Sequence, residues 1–415
     1  MTVKAEIIAI GDELLYGQTL DTNSHWISGA LDAINIKVYQ KSTIGDNRDQ
    51  ILKSFEEAKQ RADIVLITGG LGPTKDDLTK PLLAEYFGVG LKRNDEALQE
   101  LTDLFFRTGR ELSDLNKAQA DLPTNCTKIT NEMGTAAGMW FEEDETVFIS
   151  MPGVPYEMKH MMEHYIIPML KDKFTKGELI HKIIKTIGIG ESDLAIKIEK
   201  WEDTLPDHIK LAYLPTMGQV KLRLTATGGN AKQLEQDTDA LIEAVMPIIQ
   251  PYVYGYGDDE IESVVGNMLK TANKTIATAE SCTGGYVAHL LTSIPGSSAY
   301  FKGSIVSYSN DVKVDQLNVP NEDLENYGAV SEEVVKAMAK NVRLKLGSDV
   351  GLATTGIAGP DGGTDEKPVG TVWIAYADAT QVIAKKMNFS KRRKYNIHWS
   401  ALAVLNLFRQ NFNNR

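Results

Sequence analysis

Short β-branched runs that stop on glycine and then give way to amphipathic helices recur along this chain, and that alternation restricts the fold more than any other feature. KAEIIAIG (4–11), IKVYQKSTIG (36–45) and DIVLITGG (63–70) read as buried strands. NSHWISGALDAI (23–34) and RDQILKSFEEAKQRA (48–62) between them read as helices. ETVFISMPG (145–153) repeats the strand-then-glycine pattern. A β-α-β-α-β order predicts a mostly parallel sheet covered by helices on both faces. Ligands of such sheets sit beyond the carboxyl ends of the strands. The turns Gly11-Asp12-Glu13, Gly69-Gly70-Leu71-Gly72 and Pro152-Gly153-Val154-Pro155 all fall there.

The pattern changes twice. Residues 178–254 read β-α-β-β-α-β, a small split βαβ sandwich with a hairpin around Met217–Gly218. Tyr254-Gly255-Tyr256-Gly257 closes it as a candidate linker. From Ile261 a third α/β unit begins, with a strand at 274–280, a glycine-started helix at 281–294 and a strand within 298–309. A helix over 331–347 follows, opened by Ser331 as one half of a capping box, and then strands within 349–360 and 369–377. A chain of 415 residues has room for this many domains at roughly 100–200 residues each.

Charge and cysteine content exclude several functions. Forty-four Lys and Arg against 56 Asp and Glu leave a net charge of -12, a poor basis for holding a nucleic-acid backbone. The only cysteines, Cys126 and Cys282, stand far apart, which suits a reducing compartment and excludes a cysteine-based zinc site. No apolar run approaches the roughly 18 residues of a membrane helix, and Glu6, Asp12 and Glu13 break up the start as a secretion signal. The expected location is the cytoplasm, without membrane partners.

Two constellations carry chemistry. In the first, Thr68-Gly69-Gly70-Leu71-Gly72-Pro73-Thr74 precedes Asp76, Asp77 and Thr79. Glycines after a strand let the backbone approach a phosphate, and adjacent carboxylates can hold a hard divalent cation. Glu13 adds an acidic turn at the same sheet edge. The plain alternative is a glycine turn followed by a solvated acidic helix start. In the second, Ser281 stands where a strand meets a helix start containing Thr283, Gly284 and Gly285. Backbone amides there are expected to stabilise an oxyanion. A serine nucleophile needs a base. None of the seven histidines lies in these glycine motifs, so Lys313 is the expected base and Tyr308 the expected proton relay between them. The alternatives are an N-capping Ser281 and a solvated Lys313. Gly356-Ile357-Ala358-Gly359-Pro360 forms a further turn suited to phosphate or ribose, and Arg393 follows in a basic stretch.

Two other signals are discounted. His160-Met161-Met162-Glu163-His164 has the H-x-x-E-H spacing of a metalloprotease but sits in a Met-rich helix, and we read it as core. Gly188-Ile189-Gly190-Glu191 has a carboxylate where an RNA-binding GXXG clamp has glycine, so we expect no RNA affinity.

GDELLYGQTLDTNS, TGGLGPTKDDLT, NKAQADLP, GTAAG and MPGVPYEM, in that order, resemble the amino-terminal domain of the competence/damage-inducible CinA proteins. AESCTGGYVAHLLTSIPGSSAYFKGSIVSYSNDVK (279–313) and TGIAGPDGGTDEKPVGTVW (355–373) resemble the nicotinamide-nucleotide amidase domain at the carboxyl end of that family. The resemblance implies an α/β protein of three domains: a molybdopterin-binding-like α/β sandwich over 1–175, a small KH-like α+β domain over 176–254 and an α/β amidase domain over 258–415. It implies an amidase acting on nicotinamide mononucleotide through Ser281, Tyr308 and Lys313, without a cofactor. Thr283, Gly284, Gly285, Gly356, Gly359 and Arg393 are the implied substrate contacts. For the first domain it implies metal-dependent cleavage of ADP-ribose. Gly69, Gly70, Gly72, Thr74 and Gly153 would hold that substrate, and Asp77, Asp76 and Glu13 the divalent metal. It also implies a homodimer. Ala137 stands where the family has proline, which loosens that loop without removing a functional group. The competing reading is a nucleotide- or molybdopterin-binding sensor in competence or DNA damage, with one or both sites inactive.

Overall fold

The computed structural model describes residues 3–109, 111–174 and 177–412. The chain divides into two compact units, Met1–Ile180 with Thr227–Leu234, and His181–Ala226 with Glu235–Arg415.

The first unit is built on strands β1 (Lys4–Ile10), β2 (Lys37–Ile44) and β3 (Ile64–Thr68), a short antiparallel pair β4 (Leu91–Arg93) and β5 (Asp121–Pro123), and strands β6 (Thr127–Ile129), β7 (Gly138–Glu143) and β8 (Thr146–Met151). Its main sheet has the order β2-β1-β3-β8-β7-β6. β2, β1, β3 and β8 run parallel, as the alternation predicts. β7 and β6 add an antiparallel edge, because a tight turn with Asp144 at φ 55° sends β7 straight back as β8. β3 is buried along its whole length, which explains its unbroken apolar run. Helix 48–59 lays Ile51, Phe55 and Ala58 with Phe141 and Phe148 on one face of the sheet. Helix 22–32 meets Met158, Met161 and Met162 on the other. Each such side chain contributes about 1.5–3 kcal/mol by leaving water.

The second unit carries two sheets. Strands β9 (Glu178–Ile187), β10 (Ile209–Thr216), β11 (Gln219–Gly228) and β12 (Val253–Tyr256) take the order β10-β11-β9-β12, with helices 191–202 and 231–249 in the split order expected. The hairpin closes on Met217–Gly218, with Gly218 at φ 80°. The expected Tyr254–Gly257 linker is instead mostly strand: β12 pairs with β9. Tyr254 and Ile187 are buried in the same core as Val265, Leu269, Leu405 and Phe408, which ties this small sheet to the third domain.

The last sheet consists of β13 (Ile276–Glu280), β14 (Phe301–Val306), β15 (Val350–Gly356), β16 (Thr371–Ala377) and β17 (Val382–Asn388), ordered β14-β13-β15-β16-β17. β13 runs parallel to β14 and β15, while β16 and β17 return antiparallel. Helix 332–345 covers one face, where Ala277, Ala279, Ala353 and Ala375 are buried beneath it. The approach is close enough that a Cβ on Gly351 would lie 2.1 Å from the Ala339 carbonyl oxygen. Helices 261–272 and 393–411 cover the other face. Among the described residues no helix is long and apolar enough to cross a membrane.

Candidate active sites

The carboxyl end of β13 delivers Glu280 and then Ser281, whose amide donates to the Thr354 carbonyl of β15 at 3.0 Å. Gly284 and Gly285, at φ 61° and 101°, let the chain turn into the short helix 286–292. The Glu280 carboxylate is fully buried under this turn. It accepts from the amides of Gly285, Val287 and Ala288 at 2.9, 3.0 and 2.8 Å, and from the hydroxyls of Thr283 and Ser304 at 2.8 and 3.3 Å. Two expectations change as a result. Ser281 does not cap the helix, because Glu280 occupies its amino terminus. Nor can the helix-start amides serve an oxyanion, since Glu280 takes three of them and the amides of Gly284 and Tyr286 bond to the carbonyls of Ser281 and Thr283. The amides of Cys282 and Thr283 are left as the candidates in this turn.

Lys313 sits on helix 310–317, which Ser309 caps. Its side chain is 1% exposed, so it is no solvated lysine. Its Nζ lies 3.2 Å from Ser281 Oγ and donates to the carbonyls of Ser307 at 2.8 Å and Tyr308 at 3.4 Å. Burial holds its ammonium below the ordinary lysine value. No carboxylate forms an ion pair with it among the described residues. The neighbouring Cys282 is no rival nucleophile, because burial pushes its thiol up to about 12.

Tyr308 does not bridge the pair. Its hydroxyl is exposed and accepts from Arg393 at 2.8 Å, while Lys313 reaches Ser281 directly. Arg393 also donates to the Gly359 carbonyl at 2.9 Å, so the structure does gather Tyr308, Gly359 and Arg393 at one place. The buried Asn396 braces that place, donating to the carbonyls of Ala358 and Ser390 at 2.9 and 2.8 Å. Gly356 serves packing instead, since a Cβ there would lie 2.6 Å from Val372 Cγ2.

In the first unit the three glycine turns converge as expected on one cavity of about 610 Å³, lined by Gly11, Glu13, Gly69, Gly70, Gly72, Asp76, Asp77 and Gly153. Gly69 is obligatory: φ is 107°, and a Cβ would lie 2.1 Å from the Ile10 carbonyl oxygen. Fully buried Thr79 pins this loop, donating its hydroxyl to the Gly69 carbonyl at 2.8 Å. Thr74 turns away from the cavity's service, its amide and hydroxyl both donating to Asp77. Thr74 thereby engages one carboxylate oxygen of Asp77, which still lines the cavity. Asp46, absent from the sequence reading, joins the acidic rim. Its amide and that of Asp12 donate to each other's carboxylates at 3.3 and 3.1 Å. Burial raises the Asp46 carboxyl above its ordinary value, and the charges of Asp12, Glu13 and Asp76 add to the effect. Among the described residues, no three acidic, His or Cys side chains converge as a ready-made metal site.

The discounted motifs stay outside both sites. His160 and His164 stack on each other, ring centroids 4.1 Å apart, beside buried Met161 and Met162. Glu191 opens helix 191–202 at the surface.

Residues 6–172 match the model of a probable molybdopterin binding domain, 181–255 that of the damage-inducible protein CinA KH domain, and 258–412 that of the CinA C-terminal domain. A CinA-like protein of Cytophaga hutchinsonii is 53% identical over 98% of both chains. Another, of Flavobacterium psychrophilum, is 45% identical over 94% of both. The CinA structure from Thermoplasma acidophilum covers 41% of this chain and 99% of its own, at 31% identity and a TM-score of 0.37. With whole-length relatives at this identity and all three domain models matched in order, this chain belongs to the CinA family.

Proposed function

We propose that the third domain is a serine amidase that hydrolyses the carboxamide of nicotinamide mononucleotide to nicotinate mononucleotide and ammonia. The observation that carries this reading is the buried Lys313 with its Nζ beside Ser281 Oγ. A neutral amine has two N–H bonds and one lone pair. The Ser307 and Tyr308 carbonyls take the N–H bonds, which leaves the lone pair for the serine proton. Ser281 Oγ then attacks the carboxamide carbon as its proton passes to Lys313. The collapsing tetrahedral intermediate receives that proton on nitrogen and releases ammonia. Water, deprotonated by the same amine, cleaves the acyl ester to carboxylate and free serine. Arg393, beside Gly359 at the rim, supplies a cation for the substrate phosphate. A sensor has no use for a nucleophile with a desolvated base, which disfavours the competing reading. The test is ammonia release from nicotinamide mononucleotide by the full chain and by Ser281→Ala. Equal rates would remove the serine mechanism.

For the first unit, the cavity at the glycine turns supports binding and cleavage of a nucleotide pyrophosphate such as ADP-ribose. The acidic rim fits a divalent cation that arrives on the substrate phosphates, because magnesium is commonly held by one or two carboxylates plus phosphate oxygens rather than by a protein cage. The presence of Glu13, Asp46, Asp76 and Asp77 in the cavity lining supports this reading. Chain-dependent release of AMP from ADP-ribose, lost on chelation of divalent ions, tests this.

A further inference from the structure

One carboxylate in the wall of the first-unit cavity is buried, unlike those of the acidic turns. Glu157 lines the cavity and is 8% exposed. It stands at the third position of helix 155–161, where a carboxylate commonly reaches back to the amides of the helix start. Here it caps nothing. Its Oε2 accepts from Asn131 Nδ2 at 2.8 Å, and the same nitrogen donates to the Ala136 carbonyl at 2.8 Å. No Lys, Arg or His pairs with the carboxylate among the described residues.

The second oxygen opens on the cavity. Oε1 accepts no hydrogen bond, and it retains accessible surface. The carboxylate lies against the main chain at Gly134, where a Cβ would meet Oε2 at 2.0 Å and Oε1 at 2.5 Å. The next two residues, Thr135 and Ala136, line the cavity. On the other side, Pro152 to Pro155, which lead into Glu157, line it as well. A Cβ on Gly153 would lie 3.3 Å from Gly69 Cα, so that stretch abuts the Gly69-Gly70-Leu71-Gly72 turn. The free oxygen of Glu157 thus belongs to the same wall as the turn suited to phosphate.

Burying a carboxylate with one neutral donor and no cation is costly, and a native structure that keeps such a group has a use for it. We propose that Glu157 is the general base of the first-unit site: its free oxygen takes the proton of the water that attacks the pyrophosphate. This rests on the pyrophosphatase reading of the cavity and supplies its proton acceptor. The water oxygen forms a bond to one phosphorus as its proton passes to Oε1. The bridging phosphorus–oxygen bond breaks, and its electron pair leaves on the second phosphate. ADP-ribose cleaved in this way gives AMP and ribose 5-phosphate, and Glu157 returns its proton to solvent. Asn131 holds the other oxygen, which fixes the direction of the base.

The experiment follows AMP release from ADP-ribose in magnesium buffer by the full-length parent, Glu157→Gln and Glu157→Ala. ADP-ribose affinity and thermal unfolding are measured on each. Glu157→Gln keeps the shape and an acceptor for Asn131 but cannot take the proton. Its kcat should fall about a hundredfold or more. Its ADP-ribose affinity, half-saturating magnesium concentration and unfolding midpoint should stay close to the parent's. Glu157→Ala leaves room for a small carboxylate, so added formate should raise its rate about tenfold or more. Formate should leave Glu157→Gln, whose site is filled, unchanged. Loss without formate rescue overturns the proposal in favour of a structural role, and a raised magnesium requirement in Glu157→Gln overturns it in favour of a metal ligand. Parent cleavage matched by Glu157→Gln sinks the base alone. No cleavage by the parent sinks the pyrophosphatase reading and the base with it.

Discussion

The two sites occupy the same position in similar folds, the carboxyl ends of parallel strands, yet they are prepared in opposite ways. In the third domain the reacting groups are already dry and in contact: Lys313 is buried, Ser281 is within its reach, and Glu280 ties down the turn between them. The first-unit cavity keeps the carboxylates of Glu13, Asp46 and Asp76 at an open rim. A lysine that serves as base must be a neutral amine, and burial favours that form. A site whose substrate carries several negative charges can leave part of its order to the ligand and its counter-ion.

The comparison breaks most readily at the base. Ser281→Ala and Lys313→Ala should each lower ammonia release by about a thousandfold or more, and the double variant should be little worse than either, because groups acting as one unit are not additive. Lys313→Arg should not restore activity, since arginine keeps its proton. In the parent, the rate should rise about tenfold per pH unit below the lowered lysine value and level off above it, as the lone pair becomes free. A flat profile across neutral pH would argue against lysine as base.

Glu280→Gln tests whether the dry site depends on its buried anchor. One amide oxygen cannot replace two carboxylate oxygens, and the new NH₂ would face N–H donors. A stability loss of about 3 kcal/mol in urea unfolding is expected, with ammonia release falling tens of fold (about 1.5–2.5 kcal/mol in barrier). An unchanged unfolding midpoint would show the carboxylate to be dispensable.

At the wet site the expected effects are smaller. Asp46→Asn should reduce nucleotide cleavage about tenfold and weaken its magnesium dependence. Asp77→Asn should mainly cost about 1 kcal/mol of stability, because that carboxylate is engaged by Thr74. If Asp77→Asn abolished cleavage while Asp46→Asn did not, Asp77 would be the ligand after all. The smallest change is expected for Tyr308→Phe, about threefold in amidase rate, since its hydroxyl meets Arg393 rather than the Ser281–Lys313 pair. A loss as severe as that of Lys313→Ala would restore Tyr308 as a proton relay.

Much of this was legible in the chain, and the gaps have physical causes. Asp46 follows strand and glycine just as Asp12 does, so the rule that singled out Gly11-Asp12-Glu13 could have found it at Gly45-Asp46. Glu280 carried a signal too, as a charged residue ending a buried strand, though nothing local said what it would accept from. β17 was missed because the adjacent Lys385 and Lys386 interrupt its apolar run.

The sequence by itself determined most of the order of strands and helices, the glycine turns at the sheet edges, and Ser281 and Lys313 as a candidate pair. Each of these depends on local periodicity or on a residue type that few other jobs require. Tertiary structure alone decided which amides of the serine turn Glu280 takes, that Tyr308 meets Arg393, and that Asp46 joins Asp77 at the cavity. Those outcomes depend on hydrogen-bond partners that are distant along the chain, and a donor or acceptor is available only after every closer partner has been satisfied.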